Sequence, residues 1–73
     1  MWLKTTRAEK LLAKNKLTRA EIAKLFGYSL THINQVMDGR FEAGEDLARQ
    51  FLSAFGAEEM NKAIDWGRTN YAG

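Results

Sequence analysis

The chain has 73 residues, no cysteine, no proline and 45% hydrophobic residues, a composition that fits one small globular domain and excludes a disulfide scaffold or a disordered tail. Its net charge is only +2, and Lys or Arg breaks every apolar run well short of the ~18 residues that a membrane span requires, so a soluble, cytoplasmic protein with no membrane partner is expected. The charge is polarised: residues 1–28 carry seven Lys/Arg against Glu9 and Glu21, whereas the remainder carries four basic and seven acidic residues.

Thr6 followed by Glu9 has the capping-box pattern, in which the Thr hydroxyl accepts from a free amide at the helix start and the Glu reaches back to another. A first helix is predicted over 6–15. Thr18 and Glu21 repeat the pattern, and Leu17 with Ile22 adds a hydrophobic staple, predicting a second helix over 18–26. The repeated TRAE is this cap used twice, because two copies so close together are too short for a solenoid unit. Ser29, with Tyr28 before it and Ile33 after it, opens a third helix over 29–37. A fourth is expected over 44–55 and a fifth over 57–66. Gly27, Asp38-Gly39, Gly56 and Gly67 supply the stops. No strand-like alternation competes.

Helical spacing assigns Leu11, Leu12, Ile22, Leu25 and Phe26 to the core, followed by Ile33, Val36 and Met37. Leu47, Phe51, Leu52, Phe55, Met60 and Ile64 extend it through the last two helices. The expected fold class is all-α: a compact five-helix bundle forming a single domain over 1–73.

The segment from Thr18 to Met37 carries the functional signal. A short turn containing glycine forces two helices to cross steeply, the helix-turn-helix unit, and Ala23 is the small residue that close crossing needs. With Ile22, Phe26, Tyr28, Ile33 and Val36 filling the angle, the opposite face of the third helix presents Thr31, Asn34, Gln35 and Asp38 at i, i+3, i+4 and i+7. Ser29 and Leu30 stand at its N-terminus, where free amides favour phosphate. Amides can contact adenine, hydroxyls can contact any base edge, and Leu30 can pack on a thymine methyl.

The stretch LTRAEIAKLFGYSLTHINQVMDGR resembles the helix-turn-helix of the phage repressor/Cro family, also called Xre, with Ala23, Gly27, Ile33, Val36 and Gly39-Arg40 at matching positions. LARQFLSAFG resembles that family's fourth helix and MNKAIDW its fifth. The resemblance implies a lambda-repressor-like DNA-binding domain and transcription regulator in a bacterial or phage-infected cell, associated with the nucleoid. It implies base readout from Leu30, Thr31 and Gln35, with Ser29 and Asn34 beside them. Phosphate contacts are implied for Arg19 and Arg40, and Lys16 is grouped with them. Double-stranded DNA with a pseudo-palindromic operator is the implied partner, bound by a homodimer; large aromatics are costly to leave wet, which places the expected seam around Phe55 to Trp66, with Tyr71 joining it. The family's frequent glutamines are replaced at Arg19, Leu30 and Thr31, so no operator sequence transfers. Phe41, Glu42 and Glu45 stand where relatives are often basic.

The residue inventory bears on two other classes. An enzyme is disfavoured by the absence of cysteine, the single histidine His32, and the lack of a phosphate loop or metal-binding spacing; no cofactor, metal or small-molecule ligand is expected. A protein-interaction module on the same helical fold (an antitoxin, antirepressor or adaptor) is the serious alternative, favoured by Leu30 and the acidic run after Arg40.

Overall fold

The computed structural model describes residues 1–69. Among them are six helices: α1 (Thr5–Lys14), α2 (Arg19–Phe26), α3 (Leu30–Met37), α4 (Glu45–Phe55), α5 (Ala57–Ala63) and the single-turn α6 (Trp66–Thr69). Packing joins α2 to α3, α1 to α5, α4 to α5 and α1 to α3. The chain is therefore an all-helical domain, with one helix more than the five expected.

Local signals account for α2 and α3. Thr18 Oγ1 accepts from the Glu21 amide (3.1 Å) while the Thr18 amide donates to Glu21 Oε1 (2.9 Å), completing the capping box. At the far end of α2, Gly27 lies in the left-handed region (φ 77°, ψ 33°). That conformation lets the Ala23 carbonyl accept from both the Gly27 and Tyr28 amides, each at 2.9 Å, and turns the chain directly into α3. Ser29 Oγ then accepts from the His32 amide at 3.1 Å. Helix α3 ends in a Schellman turn, with Gly39 donating to Val36 O (3.1 Å) and Arg40 to Gln35 O (2.9 Å).

The two ends of the chain depart from the sequence expectation for a shared reason. The expected Thr6–Glu9 cap does not form: α1 starts at Thr5 with Lys4 at its N-cap and no side-chain cap hydrogen bond. Leu3 instead makes an isolated antiparallel bridge with Ile64, the Lys4 amide donates to Ala63 O, and the Asp65 amide donates to Trp2 O, both at 2.8 Å. This pairing fixes the entry to α1 and pulls Ile64 into extended geometry (φ −81°, ψ 133°). The fifth helix thus stops at Ala63 instead of continuing to residue 66. Gly67 is not its stop; it lies inside α6.

The core holds Leu11, Leu12, Ile22, Ile33, Val36, Met37, Leu47, Phe51, Met60 and Ile64, all buried. Phe26 and Phe55 pack against it from partly buried positions. Two expected members are outside: Leu25 is 67% exposed and Leu52 39%. Ile22, Ala23 and Phe26 share one face of α2, and Leu25 lies about a quarter-turn beyond it at 3.6 residues per turn. Leu52 is similarly one residue past the Leu47–Phe51 line. In their place the core takes Leu3, Ala8, Ala43 and Ala63, small residues or residues outside any helical period. The Phe26 and Phe51 rings meet edge to face with centroids 5.2 Å apart, tying α2 to α4.

Candidate nucleic-acid interface

Helix α3 rests its Ile33–Val36–Met37 face on the core, which leaves its N-terminal turn in solvent. Ser29 and Thr31 are exposed, Leu30 is 45% exposed, and Asn34 and Gln35 are half-buried on the flank. The turn before α3 is braced from α4: Tyr28 Oη–H donates to Asp46 Oδ2 at 2.6 Å, and Gln50 Nε2 donates to Phe26 O at 3.0 Å. The Tyr28 and His32 rings stack with centroids 5.3 Å apart. The hydrogen bond holds the Tyr28 hydroxyl above its ordinary pKa and the Asp46 carboxyl below its own. Side chains on a rigid, capped helix hold their positions better than side chains on a loop.

Arg19 is the best-connected side chain in this region. Its Nε donates to Glu9 Oε1 (3.0 Å), Nη1 to Asn34 Oδ1 (3.1 Å) and Nη2 to Asp38 Oδ1 (2.9 Å). One guanidinium thus joins α1, α2, α3 and the residue just after α3. It is only 22% exposed, and its planar fork offers donors on three separate nitrogens to the three acceptors. The hydrogen bond from Arg19 holds the Asp38 carboxyl below its usual range, and Asp38 in turn raises Arg19. A residue implied as a phosphate donor is therefore engaged within its own domain and partly neutralised by two carboxylates.

The same contact fixes the Asn34 amide. The bond from Arg19 takes one of the two lone pairs of Oδ1. Bidentate recognition of adenine needs both atoms, and Asn34 has its Nδ2 donors and only the second lone pair of Oδ1 to offer, in an orientation that Arg19 sets. Gln35 has no side-chain hydrogen bond among the described residues and keeps both functions. Lys16 and Arg40 are exposed; Lys16 occupies the α1–α2 corner at φ 56°, and Arg40 follows α3, where its charge also helps to lower Asp38.

Two of the expected seam residues, Phe55 and Trp66, are among the described residues. Phe55 stacks on Phe51 with ring centroids 6.2 Å apart and is partly buried. Trp66 is 48% exposed, its indole N–H donating to Asn61 Oδ1 at 3.0 Å. Leu52, Ile64 and Trp66 line an open apolar cleft of about 410 Å³. Tyr71 lies outside the described residues. Among the described residues no group of His, Asp or Glu could hold a metal ion, and no helix is long and apolar enough to cross a membrane.

Two features were not apparent from local patterns. The Arg19 hub links residues 10, 15 and 19 positions apart, beyond the reach of any cap or helical period. A basic cleft between α1 and α5 was half legible, since Arg7, Lys10 and Lys14 recur at i, i+3 and i+7, but its fourth cation, Lys62, comes from a distant helix. No family model, curated protein or solved structure matches the chain.

Proposed function

We propose that this chain is a sequence-specific double-stranded DNA-binding domain of lambda-repressor-like fold, a transcription regulator that reads the major groove with α3. The observation carrying this reading is the geometry of residues 18–37: two short capped helices joined through left-handed Gly27, with the N-terminal turn of the second left in solvent. A projecting helix of this kind fits the major groove, which is ≈ 12 Å wide. Ser29, Leu30, Thr31 and Gln35 then face base edges, Asn34 contributes a donor, and Arg40 and Lys16 meet phosphates. A pseudo-palindromic operator is bound by two copies, joined through Phe55, Trp66 and Tyr71.

The alternative, a protein-interaction module, is supported by two observations: the exposure of Leu30 and the absence of any Lys or Arg on α3. Selection from a pool of random duplexes separates the two. A DNA reader enriches a defined site, and Gln35→Ala costs it ~1–3 kcal/mol on that site with little change on random duplex. Failure to enrich any site supports the interaction module, and an enriched site indifferent to Gln35→Ala moves the reading face elsewhere.

A further inference from the structure

Four cations gather away from α3. Arg7, Lys10 and Lys14 of α1 and Lys62 of α5 surround a concave site of about 100 Å³ floored by Leu11 and Ala63, with Glu59 as its only carboxylate. These four cations and one carboxylate give the cleft a net +3, whereas the whole chain is +2. The rest of the protein therefore carries a net −1. Glu59 is paired with Lys14 at 3.0 Å, while Arg7, Lys10 and Lys62 are exposed and have no ion-pair partner among the described residues. On α1 the basic stripe and Glu9, the residue that meets Arg19, lie on opposite flanks of the buried Ala8–Leu11–Leu12 face at ~100° per residue.

We infer that the α1–α5 cleft is a phosphate-backbone site that carries the chain's sequence-independent affinity for nucleic acid, separate from the face of α3. Three features favour a phosphodiester backbone over an enclosed ligand or a docked acidic helix. The site is far smaller than the ~300–1,000 Å³ pockets that enclose larger ligands, yet it is large enough for one phosphate group. Its cations recur every ~4.5–6 Å along the α1 axis at 1.5 Å per residue, a linear array suited to a regularly charged polyanion. None of the large exposed apolar residues (Leu25, Leu30, Phe41, Leu52 and Trp66) lines it, so it offers no pocket for the apolar anchors with which a partner helix binds.

The test is binding of a short random-sequence duplex by fluorescence anisotropy between about 50 and 200 mM salt, comparing the wild type, the triple variant R7Q/K10Q/K62Q and the single variant R40Q. Lys14 is left in place so that its pair with Glu59 survives, and K62Q alone serves as the milder variant should the triple lose helicity. Each phosphate contact contributes about 0.9 to the log–log salt slope. The triple variant should therefore flatten the slope by roughly two to three units and K62Q by about one, with affinity at 0.1 M salt falling on the order of a hundredfold in the triple. An unchanged slope in the triple and K62Q variants, or a loss in the triple no larger than the roughly one unit that R40Q removes beside α3, overturns the assignment. So does polyglutamate competing as well as duplex at equal charge, which would make the partner an acidic polypeptide. Site selection by α3 is read separately: the cleft variants keep the preferred sequence, and the cleft result stands even for a chain that selects none.

Discussion

Arg19 shows how one side chain can set the properties of a whole surface. Its contact with Asp38 is favoured only while the carboxylate is ionised, and the depressed carboxyls of Asp38, Asp46 and Glu59 make folding depend on acidity. Each group binds fewer protons folded than unfolded, so stability rises with pH through this range. Their contribution is complete above the ordinary values of 3.8 and 4.5 and is lost as pH falls through the lower folded values. The urea midpoint should therefore decline below about pH 4.5, and Asp38→Asn should show a shallower decline than the wild type. An identical acid profile in that variant would remove Asp38 from the account. The polar flank of α3 was legible from its period alone, whereas the orientation of Asn34 was not, because it depends on an arginine from another helix.

The helix corners α1–α2 and α2–α3 use the same backbone geometry with different residues. At the first corner Lys16 takes the left-handed conformation at φ 56°, with Leu17 donating to Leu12 O at 2.9 Å and Lys16 to Ala13 O at 3.0 Å. At the second, Gly27 fills the role with nothing within 4 Å of where a Cβ would sit, so a side chain there meets only backbone strain. A left-handed residue bearing a Cβ costs ~1–2 kcal/mol, partly offset by the greater freedom that glycine gives the unfolded chain. Lys16→Gly should stabilise the fold by about 0.5–1 kcal/mol and Gly27→Ala should destabilise it by a similar amount, both read from denaturant midpoints. Equal signs for the two would contradict the shared geometry. Helices α2 and α3 could be read from the sequence because their caps and stops lie within a few residues of each other. The start of α1 and the end of α5 could not, because the bridge between Leu3 and Ile64 overrides local preference at both.

The molecule measures 33 × 22 × 20 Å and presents one α3, whereas successive major grooves on one side of a duplex lie ≈ 34 Å apart. Reading two half-sites therefore takes two copies. Sedimentation equilibrium should show reversible dimers at high concentration, shifted toward monomer by Trp66→Ser; monomer alone, with and without DNA, would reject the seam. Sequence periodicity was sufficient for the all-helical class and most of the core, but not for the distribution of charge, which depends on how α1 meets α5. The pairing of the first residues also bears on synthesis. Residues 1–4 are made well before their backbone partners Ala43, Ala63, Ile64 and Asp65. Until those residues emerge, the nascent chain can close only its nearby contacts, α2 on α3 foremost. Residues 1–4 are thus seated only after residues 63–65 have emerged, although they are made long before them.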